Sequence, residues 1–310
     1  MSLRLCCLVA AVHFAWCWTG PSGRTRLPVS TAATRPPRRA ALTSSLDAQS
    51  GAIELDGARS DEVMVATAED VTLRVLRWWP TSPPAGAPSS PVVVVAGWGS
   101  IFEGWRPLIS AWARRRPIVY IETREKQSAI IGRRPRVRDF EMARHGDDLA
   151  AVLAHLRIDP ATVDWFSSSL GATLLLDAMV AGKLAGRSSV MLAPNPSFSF
   201  PFWSRPILRI PLPRFVYARL RSLGMWVVRR KTKEPAQRAR YERSLQSQDL
   251  ERLVLSMKAN LNYQLPPDCS AASMPCAVLA ATTDTLHGMD TVASVVERLP
   301  DAVLIEVLPP

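Results

Sequence analysis

Three consecutive serines, residues 167–169, stand where a strand pattern passes directly into a helix pattern. The apolar run at 163–166 predicts a short strand, and residues 171–184 predict a helix. A serine on such a sharp turn, with small residues two positions before and two after it, is typical of a nucleophile elbow. We therefore predict that Ser169 attacks a carbonyl and that the N–H of Leu170 faces the oxyanion that forms. The alternative is a serine-rich loop that only caps the helix.

The patterns around this turn predict a mostly parallel sheet covered by helices. Residues 62–79 alternate as one or two antiparallel strands. Short apolar runs, typical of strands buried on both faces, occupy residues 91–97, 117–122, 163–166, 188–193, 275–283 and 302–308. Helical apolar stripes occupy residues 139–158, 171–184 and 289–299. This alternation predicts an α/β fold with a doubly wound sheet.

One long segment interrupts the alternation of strands and helices. Residues 196–268 open with prolines and aromatic residues and continue as basic, helical sequence. We predict that this segment is a helical cap inserted between two parts of one core, residues 62–195 and residues 269–310.

Together these features resemble the α/β-hydrolase superfamily, over roughly residues 62–310. The strand at 92–97 and the Trp98-Gly-Ser after it are similar to the family's strand that ends in His-Gly, with Ala96 in place of the histidine. In the family the residue after that glycine offers its backbone N–H to the oxyanion, and the resemblance gives this role to Trp98. The elbow differs from the usual Gly-x-Ser-x-Gly at Ser167, which stands where the first glycine would be.

The resemblance also implies a catalytic acid. The strand at 275–283 is similar to the family's strand that ends in an acid, and Asp284 stands at the acid's place. An aspartate there would orient a histidine and stabilise it once protonated. Asp290 is the alternative acid, although it also suits the first turn of a helix that begins at Met289.

A second family turn is present in a variant form. Residues 122–128, Glu-Thr-Arg-Glu-Lys-Gln-Ser, resemble the family's Asp-x-Arg-Gly-x-Gly-x-Ser turn without its glycines. We expect this segment to support the sheet rather than the chemistry, with an ion pair between Glu122 and Arg124.

The histidine departs from the family pattern. The family places it in a loop after the last strand, here 303–308, and only Pro309 and Pro310 follow. We therefore expect either a base supplied by a longer chain, in which the final histidine loop and helix are present, or a non-catalytic protein. His287, three residues after Asp284, could reach Ser169 if its loop folds inward; otherwise it is an exposed loop residue.

The predicted cap carries an unusual charge. Residues 205–243 hold ten Arg and two Lys against two Glu, with aromatic residues interleaved. One interpretation is a lid that docks on an anionic membrane surface and admits a lipid-like acyl substrate. The other is an ordinary cap whose aromatic residues face the pocket and whose arginines face water. No helix-turn-helix, zinc-finger or RNA-binding signature accompanies the charge, so nucleic acid is not a predicted partner.

The first 50 residues predict a targeting leader. An apolar stretch from Leu5 to Trp18 follows Arg4 and has the length of a signal-peptide core. An Arg-, Ser- and Thr-rich stretch follows, and the first acidic residue of the chain is Asp47. This two-part pattern resembles the leaders of proteins sent to plastids through the secretory system; a plain signal peptide and the secretory pathway are the alternative.

These observations combine into one predicted function. We predict a serine hydrolase of esters, thioesters or amides with an apolar acyl part, which forms an acyl-enzyme on Ser169 and needs no cofactor. A catalytically dead hydrolase-fold binding protein is the alternative, because the triad histidine is missing from its usual place. Cys269 and Cys276 lack the spacing of a zinc site, so no metal is predicted.

Overall fold

The computed structural model describes residues 52–198, 213–232, 235–282, 284 and 287–307 of the 310-residue chain. The predicted leader lies outside the described residues, so the plastid and secretory destinations stay predictions. The proline- and aromatic-rich start of the predicted cap, residues 199–212, also lies outside them.

A nine-stranded sheet organises the described residues. Its strands are β1 (Ala58–Ala68), β2 (Val71–Pro80), β3 (Val92–Val95), β4 (Ile118–Ile121), β5 (Ile130–Ile131), β6 (Asp164–Ser168), β7 (Ser188–Leu192), β8 (Cys276–Ala281) and β9 (Ala302–Val307). Their order across the sheet is β1-β2-β4-β3-β6-β7-β8-β9, and β5 pairs with β2. The contacts of β2 with β1, β4 and β5 are antiparallel, and all pairs from β4 to β9 are parallel. The predicted mostly parallel sheet is therefore confirmed.

Helices connect the strands. Within the described residues they are α1 (Phe102–Ala113), α2 (Met142–Leu156), α3 (Leu170–Val180), α4 (Arg214–Lys231), α5 (Pro235–Gln246), α6 (Leu250–Asn260) and α7 (Met289–Val296). Helices α4 to α6 stand between β7 and β8, in the segment predicted as the cap. Helix α1 was not among the predicted helices, and Pro107 inside it removes one backbone donor from the helical ladder.

The central strands β3, β4 and β6 are buried on both faces of the sheet. Neighbouring residues of these strands point to opposite sides. In β3, Val93 and Val95 enter a large apolar cluster that also contains residues of α2, α3 and α7. Val92 and Val94 enter a second cluster with residues of α1. Helices thus cover both faces of the sheet, as the continuous apolar strands predicted.

Asp164, at the start of β6, links the amino ends of three parallel strands, β4, β6 and β7. This carboxylate accepts hydrogen bonds from Arg187 Nε (2.9 Å) and Ser188 Oγ (2.7 Å), which lead into β7. It also pairs with Arg116, two residues before β4. These partners hold the pKa of Asp164 at about 2, below its ordinary value, against the opposing effect of burial.

The order of the strands reverses between β3 and β6. The chain passes from β3 to its neighbour β4 on one side and later returns to β6 on the other side. Such a reversal leaves a crevice at the carboxyl ends of the two strands, where ligands bind in open α/β sheets. The segments that follow these two strands contain Trp98 and Ser169.

Candidate active site

Ser169 occupies a strained bend between β6 and α3. Its φ of 46° and ψ of −118° lie in a region that residues with a side chain rarely adopt. The backbone holds the bend, since the Ser169 N–H donates to the carbonyl of Leu192 at the end of β7 (2.8 Å). The hydroxyl is thereby presented at the carboxyl edge of the sheet.

Gly171 allows the bend to approach β3. A Cβ atom at this position would lie 2.3 Å from the Val95 carbonyl oxygen and 2.8 Å from that of Ala96. Only glycine fits such a contact without moving the backbone. Ser167, at the other small position, is fully buried within β6 and its hydroxyl has no hydrogen-bond partner.

Ser169, His287 and Asp284 form a continuous hydrogen-bonded chain. Ser169 Oγ lies 3.0 Å from His287 Nε2, and His287 Nδ1 lies 2.7 Å from Asp284 Oδ2. The backbone N–H of His287 also donates to Asp284 Oδ1 (3.1 Å), so one carboxylate binds both the backbone and the ring of His287. The His287 and Asp284 side chains are only 4% and 8% exposed, so water has little access to either contact.

The partners decide which nitrogen of His287 carries the proton. A carboxylate only accepts hydrogen bonds, so Nδ1–H donates to Asp284. In the neutral ring Nε2 is then an acceptor, and the Ser169 hydroxyl donates to it. This arrangement can take the proton of Ser169 during an attack and can stabilise the charge on the ring afterwards.

The position of His287 decides between two expectations from the sequence. His287 was expected either to reach Ser169 or to be an exposed loop residue, and it is buried against Ser169. Asp284, whose partner was otherwise expected in a longer chain, binds both the backbone N–H and the ring of His287. The signal that could have found it is the Asp-x-x-His spacing directly after a parallel strand.

The alternative acid and the other described histidines do not join this chain of contacts. Asp290 is exposed in the first turn of α7. His155 is exposed in α2, and His145 is buried in the same helix without a hydrogen-bond partner on either ring nitrogen. Burial lowers the pKa of His145, which therefore stays neutral around neutral pH.

The segment after β3 lies directly against the serine bend. Residues 97–100 form a turn, which the Ser100 N–H closes on the Gly97 carbonyl (3.1 Å), with Gly99 at a φ of +67°. The Gly97 N–H donates to Ser168 Oγ (3.0 Å), so the turn is tied to the residue before Ser169. Trp98 lies at the centre of this turn.

Leu170 directly follows Ser169 in the chain. It is the first residue of α3, and the first N–H groups of a helix have no partner within the helix. They carry partial positive charge from the aligned peptide dipoles. The amino end of α3 is therefore suited to an oxygen that becomes negative next to Ser169.

The 122–128 segment is arranged differently from the prediction. Arg124 pairs with Asp148 of α2 (2.8 Å) and not with Glu122, whose cationic neighbour is Arg74 (3.8 Å). Arg124 and Asp148 are both buried, so each needs the other's charge, while Glu122 points toward β2. The predicted Glu122–Arg124 ion pair was wrong.

A narrow apolar pocket opens beside the serine bend. Its walls come from the elbow, the turn after β3, the start of the cap segment and helix α6: Trp98, Ser169, Leu170, Phe198, Ser256, Met257 and Asn260. The accessible surface of these walls is almost entirely apolar. Such a pocket suits an apolar group placed next to the Ser169 hydroxyl.

The described part of the cap contains both buried and exposed aromatic residues. Tyr217 is buried, whereas Trp226 is 51% exposed with the Arg230 guanidinium over its ring. The aromatic residues before α4, among them Phe200, Phe202 and Trp203, lie outside the described residues. Docking on an anionic membrane surface stays a prediction.

Within the described residues there is neither a cluster of metal ligands nor a membrane-spanning helix. No group of three or more His, Cys, Asp or Glu side chains there could hold a metal ion. No described helix is long and apolar enough to cross a membrane.

Comparison with known structures assigns the fold. A hydrolase from Pseudomonas aeruginosa PA01 superposes with a TM-score of 0.61 at 14% identity, over 80% of this chain and 91% of that one. An enol-lactonase from Burkholderia xenovorans LB400 gives 0.61 at 15% identity, over 78% and 90%. An esterase from Exiguobacterium antarcticum gives 0.61 at 10% identity, over 78% and 89%. This chain has the α/β-hydrolase fold.

The structure of this chain shows the α/β-hydrolase fold, whereas its sequence has little identity with the compared proteins. No protein-family model matches the chain, and no curated protein sequence matches it. Identities of 10–15% to the solved structures leave the fold as the shared property. Its chemistry must be argued from the site.

Proposed function

We propose that this chain is a serine hydrolase that cleaves an ester, thioester or amide with an apolar acyl part. The observation that carries the proposal is the chain of contacts from the Ser169 hydroxyl through His287 to Asp284, on a strained bend at the carboxyl edge of the sheet. A serine hydroxyl is a weak nucleophile unless an adjacent base takes its proton, and this arrangement supplies that base.

The first half of the reaction makes an acyl-enzyme. Ser169 Oγ attacks the carbonyl carbon of the substrate while its proton passes to His287 Nε2, and the carbonyl oxygen becomes an oxyanion. The N–H groups of Trp98 and Leu170 stabilise that charge, and Asp284 stabilises the protonated ring. The leaving group then departs with the proton from His287, which leaves the acyl group bound to Ser169.

The second half regenerates the enzyme. A water molecule attacks the acyl carbon and gives a proton to His287 Nε2. The bond to Ser169 Oγ breaks, the proton returns to that oxygen, and a carboxylic acid leaves. The histidine acts as base and then as acid in each half, so its protonation state is the same at the start and at the end.

The pocket supports a small molecule with an apolar acyl part. Its aromatic and aliphatic walls, with Trp98, Phe198 and Met257 among them, offer few polar atoms to a substrate. Two solved structures of the same fold are described as an esterase and an enol-lactonase, which also favours ester-like substrates for this chain.

The alternative function is a non-catalytic protein that binds an apolar ligand in the same pocket. Its motivation was the lack of a histidine after the last strand. The contact of His287 with both Ser169 and Asp284 favours the enzyme instead.

Labelling with a fluorophosphonate tests the proposal, because this reagent phosphonylates only activated serines. We expect purified full-length protein to take up the label on the peptide that contains Ser169, as detected by mass spectrometry. The Ser169→Ala variant should take up none. Hydrolysis of p-nitrophenyl butyrate should be lost in the same variant.

Ser167→Ala is the matched control, because it removes the hydroxyl of a neighbouring serine that is buried and has no partner. We expect this variant to be labelled like the wild type. Absence of label from the wild type, or equal labelling of Ser169→Ala, would contradict the proposal.

A further inference from the structure

Two buried side chains hold the backbone carbonyls on either side of Trp98. Lys126 Nζ donates to the Gly97 carbonyl oxygen (2.8 Å), and Gln248 Nε2 donates to the Gly99 carbonyl oxygen (2.7 Å). Lys126 and Gln248 are each buried, so both contacts are shielded from water. Neither residue had a predicted role in the chemistry.

The contact of Lys126 bears directly on the Trp98 N–H. The Gly97 C=O and the Trp98 N–H belong to one planar trans peptide, in which they point in opposite directions. A donor fixed on the Gly97 oxygen therefore fixes the direction of the Trp98 N–H, away from Lys126. The cation also polarises this peptide, which makes its N–H a stronger donor.

The contact of Gln248 fixes the peptide between Gly99 and Ser100 in the same way. The Gly99 C=O shares a peptide with the Ser100 N–H, which donates to the Gly97 oxygen and closes the turn. Holding both the Gly97 and the Gly99 carbonyls leaves the intervening Trp98 little freedom to rotate. The turn is thus restrained from both ends.

Burial of a lysine ammonium is costly, so its placement needs a compensating partner. Glu125 supplies the opposite charge, with its carboxylate 3.1 Å from Lys126 Nζ. Burial opposes ionisation of Glu125, yet Lys126 holds the pKa of this carboxyl below its usual range, so the carboxylate is ionised beside the lysine. The ion pair as a whole is neutral, and its ammonium end contacts the Gly97 carbonyl beside Ser169.

We propose that Lys126 and Gln248 are positioning residues, which aim the Trp98 N–H at the oxyanion by holding the Gly97 and Gly99 carbonyls. This inference rests on the proposed hydrolase function. Gln248 stands between α5 and α6 in the cap segment, and it forms a backbone bridge with Lys126. Arg252 of α6 also donates to the Lys126 carbonyl (2.9 Å). The cap segment therefore contacts the same residues that orient the Trp98 N–H, so the position of the cap and the direction of this donor depend on each other.

Kinetics of Lys126→Met tests this proposal, because methionine fills a similar volume without a donor. Loss of one oxyanion donor lowers kcat by about 10²- to 10³-fold, so misdirecting it should lower kcat by about 10- to 100-fold. We expect KM for p-nitrophenyl butyrate to change by less than about 3-fold. Affinity for a trifluoromethyl ketone, which forms an oxyanion adduct with serine, should fall by the same factor as kcat/KM.

Glu125→Gln is the matched control. It removes the charge of Glu125 but keeps a side-chain oxygen that can accept from Lys126 Nζ, so Lys126 keeps a buried partner and its contact with Gly97. We expect kcat within about 3-fold of wild type. The double variant Glu125→Gln/Lys126→Met removes both buried charges and should retain the loss of kcat. If Lys126→Met does not fold, as judged by circular dichroism, Gln248→Glu replaces the donor with an isosteric acceptor and should show the same pattern.

The outcomes separate the two proposals. Wild-type protein that reacts with the fluorophosphonate, beside a folded Lys126→Met with unchanged kcat and unchanged ketone affinity, would overturn the positioning role alone. A wild type that does not react would overturn the hydrolase function and this inference with it. A rise in KM with kcat preserved would assign Lys126 to substrate binding and also overturn it.

Discussion

At the scale of single residues, the proposed chemistry depends on an acid and a base that lie three positions apart in the chain. Asp284 binds both the backbone and the ring of His287, so one carboxylate shapes the loop and orients the imidazole. The acid and the base are therefore held against each other. Their relation to Ser169 is set by the sheet, since β6 and β8 both pair with β7.

Replacing Asp284 and Asp290 in turn should show which of the two is the catalytic acid. We expect Asp284→Asn to lower kcat by about 10³- to 10⁴-fold, because an amide favours the wrong tautomer of His287 and cannot stabilise the protonated ring. Asp290→Asn should stay within about 2-fold of wild type, since Asp290 is exposed on α7. Steady-state hydrolysis of p-nitrophenyl butyrate measures both. Equal losses in the two variants would contradict the assignment of the acid.

At the scale of elements, the position of Ser169 depends on how closely α3 approaches β3. The contact is backbone to backbone at Gly171, so it allows no side-chain adjustment. Ser168 joins the two elements from the other side through the Gly97 N–H. The elbow and the turn that carries Trp98 are therefore built as one unit, and a change in their separation alters both.

Adding one methyl group at Gly171 should disrupt this unit. Gly171→Ala places Cβ 2.3 Å from the Val95 carbonyl oxygen, and we expect it to lower the free energy of unfolding by about 3 kcal/mol or more and to abolish labelling of Ser169. Urea denaturation followed by circular dichroism measures the stability.

Gly104→Ala is the control for the added methyl group. Gly104 is exposed in α1, and no atom lies within 4 Å of the position its Cβ would take. We expect a gain of about 0.5–1 kcal/mol, because alanine is the better helix former. A Gly171→Ala protein as stable and as reactive as wild type would show that the close approach is not required.

At the scale of the whole molecule, the carboxyl ends and the amino ends of the parallel strands differ in what they contain. We call them the carboxyl edge and the amino edge of the sheet. The carboxyl edge gathers Ser169, His287 and the turn around Trp98, where strain and buried charge are concentrated. The amino edge is held by Asp164 and the arginines that pair with it. Stability can therefore be altered at the amino edge without touching the proposed chemistry.

The pKa of Asp164 makes part of this stability depend on pH. Because its pKa is about 2 in the folded chain and ordinary in the unfolded chain, its contribution is present above the unfolded pKa and is lost as pH falls toward the folded pKa. Between about pH 6 and about pH 3 the wild type should lose about 1 kcal/mol that Asp164→Asn does not lose.

Urea unfolding of both proteins at the two pH values measures this difference. Asp56→Asn, which changes a side chain that is 99% exposed, is the control and should follow the wild type. Parallel curves for the wild type and Asp164→Asn would contradict the assignment. Labelling of Ser169 at neutral pH should be the same in all three proteins.

The local patterns of the sequence were enough for the sheet and for the serine bend. Continuous β-branched runs such as 92–95 are buried on both faces of the sheet. Such a run can be recognised from a few neighbouring residues alone. The Ser-Ser-Ser-Leu-Gly turn carries its own steric requirement in Gly171. Asp284 could be singled out because it directly follows the strand predicted at 275–283. These are properties that a short stretch of chain expresses wherever it lies.

Folding was needed to bring together residues that are distant in the sequence. His287 lies 118 positions from Ser169, and the sequence left open whether their side chains meet. The contacts of Lys126 with Gly97 and of Gln248 with Gly99 likewise join a loop and a cap segment to the end of β3. Such contacts depend on the path of the whole chain, because the energy of a hydrogen bond is set by positions in space and not by separation along the sequence.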